Sequence, residues 1–184
     1  MASTFTGGLT FKIEGTEVVS SGPLKGSNRH ALETFLNLPN GTSDGQIDLV
    51  YSKIETGIGA SVTTVYDLAG SLTDLSGTTI TFVDVVTIAV RNESATAANY
   101  LLVGPDATNG FGVVSSNRGF WADASDRNVL NAEKDTQSGD SGWLILHARD
   151  GVAVAAGSTD ELAVITQGGT SSNTWSIVIL GRSA

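Results

Sequence analysis

Cysteine is absent from the 184 residues, which excludes disulfide staples and thiolate metal sites and leaves packing or association to carry stability. Proline is scarce, 3 residues against 22 glycines. Positive charge is also in short supply: 10 Lys and Arg stand against 19 Asp and Glu, for a net charge of -9. A surface of that sign repels a phosphate backbone, so no nucleic-acid partner is expected. No apolar run approaches the roughly 20 residues that a membrane-spanning helix requires, so no membrane partner is expected either. The opening Met1-Ala2-Ser3-Thr4-Phe5-Thr6-Gly7-Gly8 has neither the basic nor the apolar segment of a secretory signal, and the expectation is a protein made in the cytoplasm without an export address.

What is present is apolar and β-branched. Hydrophobic residues make up 40% and charged residues 16% of the chain, enough to bury a core in one domain of this length. Short Val, Ile and Leu runs are separated by Gly, Ser and Thr, the punctuation of many strands joined by turns. Strands are expected at 9–14, 47–55, 61–68, 85–92, 99–104, 142–148, 152–155, 161–167 and 174–181. Asp150-Gly151 reads as a two-residue hairpin turn, because Gly and Asp tolerate the positive φ such turns need. Helical spacing appears at 28–38, through Leu32, Phe35 and Leu36, and at 126–134.

Without a βαβ alternation, the doubly wound and barrel α/β folds drop out. The expected fold is an all-β antiparallel sandwich, jelly-roll-like, over 47–184, preceded by an N-terminal arm over 1–46 in which Gly7-Gly8, Gly22-Pro23 and Asn40-Gly41 crowd together.

From Ile47 to Arg182 a series of blocks runs in a particular order: Tyr66-Asp67-Leu68-Ala69-Gly70-Ser71-Leu72-Thr73-Asp74, then Val85-Val86-Thr87-Ile88-Ala89-Val90-Arg91-Asn92, then Tyr100-Leu101-Leu102-Val103-Gly104. Gly151 to Leu162 and the terminal Ile177-Val178-Ile179-Leu180-Gly181-Arg182 complete it. This order, spanning about three quarters of the chain, resembles the small β-sandwich virion structural proteins of tailed bacteriophages, of the capsid decoration or cement type. The arm before Ile47 and the stretch from Phe111 to Ser141 fall outside the pattern. The resemblance implies a small virion component, often oligomeric, that binds the major capsid protein, on the outer surface of the head, or another virion surface, and it carries no catalytic motif.

His30 and His147 stand in separate regions, and His147 alternates with Trp143 and Ile145 along one strand face, which favours a partly buried or interface histidine over a metal ligand. The acids Asp123, Asp126, Glu133, Asp135 and Asp140 lack the glycine and terminal glutamate of a calcium loop. Gly57-Ile58-Gly59-Ala60-Ser61-Val62 has Val62 where a dinucleotide fingerprint needs its third glycine. Asn40-Gly41-Thr42 and Asn92-Glu93-Ser94 match a glycosylation acceptor pattern that carries no weight without export. No catalytic residue, cofactor or metal is expected.

Among the aromatics, Trp143 and Trp175 lie in expected strands and read as core, whereas Phe120-Trp121 lies in an irregular Gly- and Asp-rich stretch. Phe5, Phe11, Phe120 and Trp121 are the expected partner contacts. The resulting expectation is a non-enzymatic homo-oligomer, a trimer, that decorates and stabilises a phage capsid. The alternative is a carbohydrate- or receptor-binding tail module stacking sugars on Trp121.

Overall fold

In a computed structural model, the described residues are 7–19, 26–96, 98–114, 118–132, 142–168 and 172–184, with side chains over 7–34 described only at Thr10. They contain strands and turns and no helix. The β-branched runs form β3 (Leu49–Ile58), β4 (Thr63–Asp67), β7 (Asp84–Asn92), β8 (Tyr100–Pro105), β10 (Trp143–Ala153), β11 (Glu161–Gln167) and β12 (Asn173–Arg182). Four shorter or unexpected elements join them: β2 (Gly26–Leu38), β5 (Leu72–Thr73), β6 (Thr79–Ile80) and β9 (Asn128–Asn131). β1 covers Gly7–Val19.

Two four-stranded antiparallel sheets, ordered β10-β7-β12-β3 and β4-β11-β8-β9, pack face to face. Passing from β3 to β4, β7, β8, β9, β10, β11 and β12, the chain changes sheets at every step except β8 to β9. That order is the eight-stranded jelly roll of two Greek keys. The all-β sandwich expected from the turn-rich pattern is therefore the fold.

The core lies between the sheets. Ile88 and Val90 from β7, Ile177 and Ile179 from β12, Leu101 and Val103 from β8, and Leu162 and Val164 from β11 meet there with Tyr51, Tyr66 and Trp175. A buried polar bond crosses it: Trp175 Nε1 on β12 donates to Tyr66 Oη on β4 at 2.9 Å. Burial pushes the Tyr66 phenol well above its ordinary pKa, so it stays neutral and available as the partner the indole needs. Asn92 closes one end of the sandwich, donating to Leu130 O at 2.9 Å and accepting from Ser94 N at 3.0 Å. Its burial and these bonds commit the side chain that the acceptor pattern would have modified.

Three expectations are corrected. Residues 28–38 belong to strand β2, not a helix: every residue from Gly26 to Leu38 has a register partner on β1, from Val19 to Gly7. In 126–134 the chain forms strand β9, paired to Tyr100–Val103 of β8; 133 and 134 lie outside the described residues. Asp150-Gly151 is no hairpin turn, since β10 continues through it.

Between His147 opposite Thr87 and Val152 opposite Val85 the register shifts, which makes the dipeptide part of a bulge. Gly151 has φ +74°, and a Cβ there would lie 2.8 Å from Arg182 Nη2 and from Asp84 Cβ. The bulge turns Asp150 O toward Arg182, whose Nη2 donates to it at 2.7 Å. The same guanidinium bonds Asp84 Oδ2 at 2.8 Å and Asp44 Oδ1 at 2.9 Å. Arg182 thereby fastens β12, β7, β10 and the loop before β3 at one end of the sheet.

Candidate functional site

Of the four residues expected to contact partners, Phe5 lies outside the described residues, and Phe11 lies on β1 opposite Thr34, with its side chain outside them. Phe120 and Trp121 pack locally. Phe111, Phe120 and Trp121 form a chain of edge-to-face rings with centroids 6.1 and 5.9 Å apart. Trp121 is 5% exposed, its Nε1 donates to Asn128 Oδ1 at 2.7 Å, and a Cβ on Gly112 would come within 2.8 Å of its ring. Such a ring offers no platform to a sugar, which corrects the reading of Trp121 as a stacking surface. The reading of Trp143 as core is also corrected: it is 59% exposed. Trp175 is core as expected.

The polar candidates turn out to be held by their own loops. Asp126 Oδ2 accepts from Ala122 N at 3.0 Å and Asp123 N at 2.9 Å, while Asp123 Oδ1 accepts from Ser125 N at 2.8 Å and Ser125 Oγ at 2.7 Å. The Ser125 backbone bond, followed by its hydroxyl, holds the Asp123 carboxyl below its usual range. Among the described residues no three His, Cys, Asp or Glu side chains stand together as a metal site. Gly57 to Val62 forms the β3–β4 turn, fastened to β11 where Thr166 Oγ1 donates to Gly59 O at 2.6 Å and accepts from Val62 N at 2.9 Å. His147 is half-buried with Nδ1 2.9 Å from Thr87 Oγ1, and desolvation lowers its pKa.

A surface that the sequence reading missed is the outer face of the β10-β7-β12-β3 sheet. Antiparallel neighbours share a face, and the registers give three rows across it. Trp143, Arg91, Ser176 and Ile54 form one, Ile145, Ala89, Val178 and Ser52 the next, and His147, Thr87, Leu180 and Val50 the third. Most of these side chains are apolar. At the Trp143 end the face is open: Ile54 is 63% exposed and Ile145 is exposed as well. The Arg91 guanidinium lies 5.2 Å from the Trp143 ring centroid, a cation–π contact on the one large ring.

At the other end the face is covered. Leu38, Ile47 and Val86 are buried together, with Leu36 and Leu180 packed against them. Val86 reaches this side because β7 carries an extra residue there: Leu180 stands opposite Thr87 and Gly181 opposite Val85. The loop between β2 and β3 holds the contact in place, with Ile47 N donating to Pro39 O at 3.0 Å and Gly41 N to Ile47 O at 3.1 Å. So the root of the β1–β2 hairpin sits on the sheet whose outer face is exposed at Ile54, Trp143 and Ile145. A signal for this was readable: 85–90 and 175–180 are nearly continuous apolar runs, the pattern of strands covered on both faces rather than one.

No family model matches the chain, and comparison with curated proteins and with solved structures found no match.

Proposed function

We propose that this protein is a non-enzymatic structural component of a tailed-phage virion, a capsid decoration protein that binds the major capsid protein on the outside of the head as a homo-oligomer. The observation that carries the reading is the pairing of a jelly-roll sandwich with a long hairpin rooted on a sheet face that is otherwise open and apolar. Contiguous exposed apolar surface is the ordinary mark of a protein contact, and jelly rolls recur in capsid components; the step from fold to role is one of analogy. The net charge of -9 favours the outer, DNA-distant side of a shell. Multivalent attachment by an oligomer would multiply individually weak contacts.

Adding the purified protein to shells stripped of their decoration tests this directly. Binding in a fixed molar ratio to capsid subunits, together with a raised shell melting temperature, is the expected result. Failure to bind while a glycan array gives a specific signal would transfer the protein to the carbohydrate-binding class. Trp143, the exposed indole, would then be the ring to mutate.

A further inference from the structure

We propose that the open part of the β10-β7-β12-β3 outer face is covered by the β1–β2 hairpin of a second copy of this chain. The hairpin is the first premise. Its two strands have 13 residues each and, among the described residues, pair only with each other, a ribbon about 43 Å long at ~3.3 Å per residue. A lone two-stranded ribbon is marginal in water and needs a surface to pack on.

Register supplies the second premise. Gly7 stands opposite Leu38, Leu9 opposite Leu36, Phe11 opposite Thr34 and Ile13 opposite Leu32. The register positions of Leu9, Phe11, Ile13 and Leu32 therefore alternate in step with those of Leu36 and Leu38. The opposite face carries Thr10, Lys12, Glu14, Glu33 and Asn37 at the alternate positions, with Phe35 its large apolar exception. One of the two alternating sets of register positions is thus mostly apolar in sequence from 7 to 13 and from 32 to 38.

The third premise is continuity. Leu36 and Leu38 already seat that apolar face on Val86 and Leu180, so this ribbon face and this sheet face are matched where they meet. Yet the hairpin leaves the rest of its own sheet bare. Only four residues of β7, about 13 Å, separate the Thr87 row from the Arg91 row, a fraction of the hairpin's reach, and Ile54, Ile145 and Trp143 are nonetheless exposed. An exchange in which each copy lends its ribbon to the next covers the open end of the sheet in every copy, and symmetry makes the contact repeat. The inference rests on the homo-oligomer in the proposed function, not on attachment to a shell.

The absence of native cysteine makes the test clean. Chains carrying Ile13→Cys and chains of different tagged mass carrying Ser176→Cys are mixed, allowed to exchange, and treated with a short bismaleimide, while light scattering follows the wild-type oligomer. The expected product is a mixed dimer joining the two chain types. It should vanish in a background of Ile54→Asp with Ile145→Asp, two exposed positions whose change leaves the far-ultraviolet circular dichroism intact. Self-association of that background should weaken roughly tenfold or more, the least expected from losing two apolar anchors.

An oligomer that forms without the mixed product overturns the hairpin exchange and leaves the oligomer standing. A monomeric wild type overturns both. A cross-link formed only inside a chain carrying both cysteines means that the hairpin folds onto its own sheet, and it also sinks the proposal. Failure to bind shells, with the mixed product present, removes the virion reading alone.

Discussion

The two faces of the β10-β7-β12-β3 sheet are built from the same strands and have different fates. Inward, Trp175, Ile177 and Ile179 are fully buried against the second sheet. Outward, the intervening Ser176, Val178 and Leu180 share rows with Ile54, Ser52 and Val50, and the chain lays a second layer over them only in part, where Leu36 and Leu38 sit. Apolar residues on both faces of a strand do not distinguish a closed core from a surface awaiting cover. What distinguishes them is whether the chain itself supplies the second layer, and here it does so inside and only in part outside.

The sharpest way to break that comparison is to truncate one tryptophan on each face. Trp175→Ala removes a ring with no exposure and the bond to Tyr66 Oη, and it should cost about 3–5 kcal/mol, read as a large drop in the denaturant midpoint at unchanged slope. Trp143→Ala on the outer face should change the stability of the isolated chain by no more than about 0.5 kcal/mol. Equal losses at the two positions would mean that the outer face is already sealed.

Next in size is the corner where the sheet meets the hairpin loop. Arg182 is 3% exposed between Asp84 and the largely exposed Asp44. Asp84→Ala strips the more enclosed of its carboxylates and should cost about 3 kcal/mol, the lower end for breaking a buried pair. Asp44→Ala, at the solvent side, should cost at most about 1 kcal/mol. Thermal melts of the two variants in parallel rank the contributions, and reversed order would place the working ion pair at the loop. Gly151→Ala attacks the same corner through the backbone. Its positive φ and the close approach to Arg182 and Asp84 predict a loss of about 1–3 kcal/mol, in contrast to the stabilisation Gly→Ala brings where φ is negative.

Much of the sandwich was legible because β-branched runs between glycines have few other uses, and 85–92, 161–167 and 174–181 emerge as β7, β11 and β12 within one residue at each end. The hairpin was hidden by coincidence of period. Leu32, Phe35 and Leu36 satisfy helical spacing, while Leu32, Leu36 and Leu38 equally share a strand face, and only the partner strand, with Leu9 and Ile13 in register, decides between them. Asp150-Gly151 misled for a related reason. The dipeptide reports a positive φ, which a bulge uses as readily as a turn, and β7, the strand that fixes the bulge, lies about 60 residues earlier.

The aromatic contacts were least legible. Strand position made Trp143 look buried and loop position made Trp121 look free, but exposure depends on which layer stands over each ring: the Gly112 backbone and Phe120 enclose Trp121, and no second layer encloses Trp143.

The smallest expected effect is set by pH and reads the boundary between covered and open parts of the outer face. His147 stands in the third row, bonded through Nδ1 to Thr87 Oγ1, and burial lowers its folded pKa below the ordinary 6.5. Because the unfolded chain then takes up the proton first, the folded state loses stability as pH falls through 6.5 toward the lower folded value and keeps it fully above that range. Denaturation midpoints of the wild type and His147→Gln, measured between pH 7.5 and pH 5, should converge or cross as the wild type loses more on acidification. In an oligomer joined across this face, further desolvation of the imidazole would depress its pKa again. The acid-induced loss should then grow with protein concentration, an amplification that His147→Gln abolishes; a loss independent of concentration would place His147 outside the contact.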